Sequence, residues 1–139
     1  TIARLFNTYG PKMSQDDTRV IPKFLRAALK NMPLTVEGEG MQTRTFCYID
    51  DLVNGLMLFM KKGKNGEVYN IGGGKEVKIK YLAKMIIKIT GSKSKIVYVA
   101  RSSHDHKRRL PNLSKIHSLG WKSTISLETG LIETIEHYK

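Results

Sequence analysis

An α/β fold built on a small mixed sheet with helices is what this sequence predicts, and three observations carry it. Short β-prone runs alternate with amphipathic stretches at helical spacing along the chain. Glycine clusters punctuate them, at Gly38-Glu39-Gly40 and Gly72-Gly73-Gly74. A length of 139 residues suffices for one domain with a real core and is too short for two comfortable ones.

Taken in order, residues 1–6 (Thr-Ile-Ala-Arg-Leu-Phe) read as a strand that begins abruptly, with no initiator methionine and nothing to pair with. A buried parallel strand needs neighbours on both sides, so the chain is expected to be a piece of a larger protein that starts inside a sheet. Asn7-Thr8-Tyr9-Gly10-Pro11 ends the strand with turn formers. Open α/β sheets bind ligands beyond the carboxyl ends of their strands, where Asn7 would stand. It could equally be a turn asparagine bonding its own backbone. Residues 14–18 form a polar loop, expected to be mobile. A helix over 20–30 places Ile21, Phe24, Leu25, Ala28 and Leu29 on one face, with Pro22 in the first turn, where a missing N–H costs nothing.

Leu34-Thr35-Val36 is a short strand ahead of the Gly38-Glu39-Gly40 turn. Residues 43–49 follow as a β-prone run with one arginine, Arg44, among uncharged residues. Asp50 is placed to N-cap a helix over 52–62, whose Leu52, Leu56, Phe59 and Met60 make a core face and whose Lys61 and Lys62 suit the negative end of the helix dipole. A guanidinium on such a stiff segment can be aimed at paired oxygens of a phosphate or carboxylate. Spacing alone leaves Arg44 open between that role and a surface arginine beside a hairpin.

Residues 67–71 form a strand ended by the triple glycine. That run matches neither a Walker phosphate loop nor a dinucleotide fingerprint, and reads as a tight turn with room for a ligand's passage. A helix over 79–89 (Leu82, Ile86 and Ile89 inward) is closed by Gly91, and residues 96–99 are a strand. Residues 101–109, Arg-Ser-Ser-His-Asp-His-Lys-Arg-Arg, form a dense basic loop, a second candidate site or a solvated surface. Ser114 and Ser126 are placed to cap two closing helices, the last with Leu127, Leu131 and Ile135 facing inward.

Composition narrows the function classes. No apolar run approaches the ~20 residues of a membrane span, and no secretory signal pattern is visible. The single cysteine, Cys47, excludes an internal disulfide and suits a reducing cytoplasm. No metal site is expected, because His104, His106, His117 and His137 form no ligand pattern with it. The net charge of +12 could mark an anionic partner. Its lysines are scattered, at Lys61, Lys62, Lys64, Lys75, Lys78, Lys80, Lys84 and Lys88, which favours a solvated surface over a nucleic-acid groove.

Several separate motifs carry a resemblance in colinear order over nearly the whole chain. They are Arg4-Leu5-Phe6-Asn7-Thr8-Tyr9-Gly10-Pro11, Arg19-Val20-Ile21-Pro22, Pro33-Leu34-Thr35-Val36, Gln42-Thr43-Arg44-Thr45-Phe46, Tyr48-Ile49-Asp50-Asp51-Leu52, Tyr69-Asn70-Ile71-Gly72 and Leu119-Gly120-Trp121. Together they resemble the C-terminal half of the extended short-chain dehydrogenase/reductases that act on nucleotide sugars: epimerases, 4,6-dehydratases and, most similar, UDP-glucuronate decarboxylases.

That resemblance implies a C-terminal fragment lacking the dinucleotide-binding half, with residues 1–139 a nucleotide-sugar-binding domain and 1–12 a remnant of the parent sheet. It implies a cytoplasmic, homodimeric parent enzyme, a lyase or isomerase, that uses NAD to oxidise a UDP-linked sugar at C4. It implies substrate contacts at Asn7, Arg19, Val20, Thr35, Glu37, Arg44, Asp105, Arg108 and Arg109. Arg108 or Arg109 would reach the diphosphate, and Asp105 would be a ribose partner. Glu37 stands where the family places an aromatic beside the base, and His106 and Asn112 replace a proline and an aspartate. The family's Tyr-x-x-x-Lys pair is missing: Tyr9, Tyr48, Tyr69, Tyr81 and Tyr98 are followed four residues later by Met13, Leu52, Gly73, Met85 and Ser102. No catalytic residue is therefore expected in this chain, and the fragment alone should be inactive. The alternative is a non-enzymatic module that binds nucleotide sugars or, through its basic surface, nucleic acid.

Overall fold

The computed structural model describes residues 1–14, 16–101 and 105–138. Gln15, in the loop read as mobile, and Ser102, Ser103 and His104, in the basic loop, lie outside the described residues. Strands and helices alternate as expected. The strands pair in small groups, parallel except at one place.

Strand β1 (Ile2–Leu5) pairs in parallel with β6 (Val68–Ile71), so the opening strand does have a neighbour. Its side chains are more exposed than a central strand's, with Ile2 57% and Leu5 50% accessible. Strand β2 (Thr8–Tyr9) pairs in parallel with β5 (Cys47–Tyr48), and β3 (Leu34–Glu37) with β8 (Ile96–Val99). Strand β4 (Thr43–Thr45) is central to a three-stranded group, antiparallel to β7 (Glu76–Lys78) and parallel to β9 (Arg108–Arg109).

The expected single run over 43–49 is thus two strands in different sheets, broken at Phe46. The chain packs closely at the break: a Cβ on Gly73 would lie 2.0 Å from the Phe46 carbonyl oxygen, and one on Gly72 would lie 2.7 Å from Phe6 Cβ. Gly72 and Gly73 are therefore packed tightly against the protein's own chain, whereas Gly74 is exposed, with only Leu113 Cδ1 within 4 Å of such a Cβ.

Helix α1 (Val20–Leu29) buries Ile21, Pro22, Phe24, Leu25 and Ala28 as its spacing requires. Helix α3 (Ile79–Thr90) buries Leu82 and Ile86 and ends in Gly91 at φ 64°, the left-handed position that glycine adopts without strain. These helices and α5 (Leu127–Tyr138) pack with Leu34 and Val36 of β3 into the main core. A second cluster joins Leu52 with Cys47, Tyr69, Ile71, Leu113, Ile116 and Trp121. Helix α5 is capped by Ser126, whose Oγ accepts the Thr129 N–H at 3.1 Å.

Helix α2 (Ile49–Lys62) ends where expected, with Lys61 and Lys62 in its last turn, but differs from expectation at its start. It starts one residue before Asp50, after Tyr48, and no side chain caps it. Its next acidic residue does structural work instead. The Asp51 carboxylate, 3% exposed, accepts the Thr124 and Ile125 N–H groups and the Thr124 hydroxyl, each at 2.9 Å. The Asp51 carbonyl accepts the Trp121 indole N–H at 2.9 Å. Asp51 thus clamps the segment leading into α5 onto α2. Met60, expected in the core, is 75% exposed, while Leu52 and Gly55 are buried and Leu56 and Phe59 pack partly buried against the second cluster. Helix α4 (Ser114–Ser118) follows Asn112, whose Oδ1 accepts the Ser114 N–H at 2.9 Å, so Asn112 supplies the side-chain bond expected of Ser114.

The clamp predicts a contrast between adjacent aspartates. Removing a buried carboxylate strands two backbone donors, so Asp51→Ala should lower unfolding free energy by about 3 kcal/mol. Asp50→Ala, which removes an exposed group, should cost less than about 0.5 kcal/mol. Urea unfolding of both variants checks this, and a larger loss at Asp50 would restore it as the cap.

Candidate functional site

A cleft of about 430 Å³ opens where β1 ends, walled by α1, β3, β4 and β9. Its lining includes Asn7, Arg19, Val20, Thr35, Glu37, Arg44, Asp105 and Arg109. Arg108 is not on this wall.

The period of two along strands explains the arrangement. In β3, Leu34 and Val36 point into the core, which leaves Thr35 and Glu37 on the cleft side. In β4, register pairs Thr43 with Arg108 and Arg44 with Arg109. Paired residues share a face, so Arg44 and Arg109 stand side by side toward the cleft, at about the 4.8 Å spacing of neighbouring strands. Thr43 and Arg108 face away. There the Arg108 guanidinium grips Glu76 by two bonds, Nε to Oε1 at 2.8 Å and Nη2 to Oε2 at 2.7 Å, while the Thr43 hydroxyl donates to Glu76 Oε1 at 2.6 Å.

Arg44 is only 9% exposed. Its Nη1 donates to the Thr43 carbonyl at 2.7 Å and its Nη2 to the Asp105 carboxylate. Arg101 holds Asp105 from the other side, donating from Nη2 to its carbonyl at 2.6 Å. Arg109 has no carboxylate partner among the described residues. Arg19, one residue before α1, is locked onto Asp17 (Nε to Oδ1 3.0 Å, Nη2 to Oδ2 2.5 Å), which lowers the Asp17 carboxyl below its ordinary range. Its Nη1 reaches the Thr8 carbonyl at 3.3 Å.

Asn7 sits at φ 35°, in the left-handed region that asparagine tolerates better than most residues. Its side chain does not bond its own backbone, as a turn asparagine's would. Its Nδ2 donates across the chain to the Thr45 carbonyl at 2.9 Å, and its own carbonyl accepts the Cys47 N–H at 3.2 Å. Asn7 therefore fastens the end of β1 to the β4–β5 junction and sets the floor of the cleft. Cys47 is 1% exposed, and burial pushes its thiol up to about 12.

Sequence reasoning missed Lys23, Gln42, Tyr9 and Phe46 on the lining. The signal for Lys23 was available, since a lysine in the first turn of α1 lies beside Arg19 and Val20. Gln42 donates from Nε2 to the Glu37 carbonyl at 3.1 Å, joining the two strands around the Gly38–Gly40 turn. The wall carries four cationic side chains, Arg19, Lys23, Arg44 and Arg109, against the carboxylates Glu37 and Asp105. Such a wall suits a ligand with more than one negative charge and a polar body. Among the described residues no group of three or more His, Cys, Asp or Glu could hold a metal ion, and no helix is long and apolar enough to cross a membrane.

Comparison with known proteins gives this arrangement a context. The model of the NAD dependent epimerase/dehydratase family matches residues 1–72. The chain is 40% identical over 139 residues to UDP-glucuronic acid decarboxylase 1 of Xenopus tropicalis, covering 99% of this chain and 33% of that protein. It is 38% identical to UDP-glucuronic acid decarboxylase 4 of Arabidopsis thaliana over 99% of its length and 31% of that protein. The chain thus spans about a third of the length of these curated relatives. Among solved structures, UDP-glucose 4-epimerase of Thermotoga maritima with UDP-glucose superposes at a TM-score of 0.91, with 33% identity over 98% of this chain and 44% of that one. UDP-glucuronic acid 4-epimerase of Bacillus cereus, in complex with UDP-glucuronic acid and NAD, gives 0.88, with 32% identity over the same shares.

The two faces of β4 predict a pH effect. Arg108, with Thr43, holds the Glu76 carboxyl at about 2, below its usual 4.5. A depressed carboxyl stabilises the folded state above its unfolded value, and that contribution is lost as pH falls from 4.5 toward about 2. Arg108→Ala should therefore flatten the decline of the thermal midpoint in that window. A decline as steep as the parent's would show that Glu76 is not its source.

Proposed function

The chain belongs to the NAD-dependent epimerase/dehydratase family, and on that premise we propose that its cleft binds the nucleoside diphosphate of a UDP-linked sugar. The observation that carries this reading is the pair Arg44 and Arg109, set side by side on the cleft face of adjacent strands. Two guanidiniums at strand spacing match two linked phosphoryl groups, and charge-assisted, planar contacts are their strongest mode. Of the two arginines that could serve in the basic loop, the reading assigns the role to Arg109, because Arg108 is turned away and engaged by Glu76. Asp105 keeps the Arg44 fork in place and can accept a ribose hydroxyl. Thr35 and Glu37 offer a hydroxyl and a carboxylate to the polar edges of the nucleoside, with Val20 as apolar support and Arg19 and Lys23 adding positive potential.

On this reading residues 1–139 are the substrate-binding portion of a longer, cytoplasmic, homodimeric enzyme, with residues 1–12 part of a larger sheet. UDP-glucuronic acid decarboxylase is the activity that the curated relatives favour. NAD is the cofactor proposed for the longer protein, where it would supply hydride chemistry, but these residues do not fit it. The triple-glycine turn is no dinucleotide fingerprint, its Gly72 and Gly73 meet Phe6 and Phe46 closely, and no Tyr-x-x-x-Lys pair is present. No redox step is therefore assigned to this chain. Its residues bind and orient: they fix the diphosphate so that the sugar projects toward chemistry supplied elsewhere.

Calorimetric titration of UDP tests the assignment. Losing a bidentate charge-assisted contact costs roughly 1.5–3 kcal/mol, so Arg44→Ala and Arg109→Ala should each weaken binding by about ten- to a hundredfold. Arg44→Lys should recover only part of the loss, since an ammonium lacks the planar fork. Arg108→Ala should bind as the parent does. If Arg108→Ala loses affinity while Arg109→Ala does not, the assignment of faces to the diphosphate is wrong.

A further inference from the structure

We infer that helix α5, which contributes no residue to the cleft, sets its shape, and that the Tyr138 hydroxyl is the positioning group. Three tyrosine hydroxyls stitch α5 to the cleft side of the molecule. Tyr9, on the lining, donates to the Leu127 carbonyl at 3.3 Å, where α5 begins. Tyr48 donates to Glu133 Oε2 at 2.6 Å, midway along. Tyr138, in the last turn, donates to the Met13 carbonyl at 2.7 Å, and Met13 is itself on the lining.

Two features show that the approach is built in. At Gly130 a Cβ would lie 2.3 Å from the Tyr9 hydroxyl oxygen and 2.7 Å from Tyr48 Cδ2, so only glycine lets α5 come this close. A helix-interior glycine is otherwise unfavourable by roughly 0.5–1 kcal/mol. On the same segment that Tyr138 reaches at Met13, the Arg26 Nη1 donates to the Asp17 carbonyl at 2.8 Å. Asp17 in turn fixes Arg19 through its backbone N–H at 2.9 Å and its guanidinium. The chain of contacts therefore runs from Tyr138 to Met13, and from Arg26 through Asp17 to Arg19, on one wall of the cleft. Tyr138 anchors the start of that segment at Met13, and Arg26 anchors its end at Asp17, which holds Arg19.

The inference rests on the reading of the cleft as a nucleoside diphosphate site, and the test separates the two. In the ligand-free chain, Tyr138→Phe should speed amide hydrogen exchange at Asp17 and Arg19 several-fold, with no change at Val68–Ile71. In UDP titrations the same variant should bind roughly three- to tenfold more weakly. The control is Tyr69→Phe, which removes a hydroxyl that accepts the Lys64 N–H at 3.3 Å in the second core, away from the cleft. It should destabilise the fold comparably and leave UDP affinity unchanged. Equal losses of UDP affinity in both variants would reduce Tyr138 to a general stabilising residue and overturn the inference, as would parental exchange rates at Asp17 and Arg19. If the parent chain itself fails to bind UDP, the nucleotide reading falls, and the exchange rates alone decide the anchoring.

Discussion

The site depends on strand β4 being held from both sides. A three-residue strand flanked by β7 and β9 has little freedom to rotate, and its alternation of faces then becomes a rule for everything around it. One face collects Thr43, Arg108 and Glu76 into a closed knot of charge and hydroxyl. The other presents Arg44 with Arg109 to the cleft. Shifting the register between β4 and β9 by one residue would exchange the two arginines and bury the anion seat against Glu76. The Glu76–Arg108 fork is compatible only with the observed register, but its exposed setting makes it weak in energy, and the strand pairing itself holds the register.

That strand rests in turn on a floor assembled from distant parts of the chain. Asn7 ties the end of β1 to Thr45 and Cys47, and Gly73 lets the β6–β7 turn press against Phe46. Asp51 fastens the approach to α5 onto α2. Each of these is a polar or steric fit between segments far apart in sequence, and apolar burial in the two cores supplies the bulk of the driving force around them. The cleft is accordingly a product of tertiary closure, with Arg19, Glu37, Arg44 and Arg109 contributed by four different elements or their flanks.

Much of this was legible beforehand where the signal is local. The amphipathic spacing of α1 and α3, the glycine closing α3 and the serine capping α5 all depend on residues within one or two turns of each other. The Gly38–Gly40 turn belongs with them, both glycines having positive φ. Eight of the nine residues named by resemblance line the cleft, contributed by strands, the start of α1 and the basic loop. What escaped the sequence was long-range. Asp50 and Asp51 are indistinguishable as helix starters until Thr124 and Ile125 arrive to take one of them. Met60 fits an apolar stripe whose orientation only packing decides. The choice between Arg108 and Arg109 requires knowing that the basic loop ends as a strand beside β4, and a two-residue strand leaves no periodicity to read.

The burial of Cys47 has a practical consequence. As the sole cysteine, sealed in the β2–β5 pairing directly behind Asn7, its thiol stays protonated and shielded while that pairing is closed. Its modification by a soluble disulfide reagent must wait for the segment to open, so the rate becomes a clock for opening of the cleft floor. Any molecule that settles on the floor should slow that clock, which gives the protein an intrinsic reporter of occupancy that requires no added label.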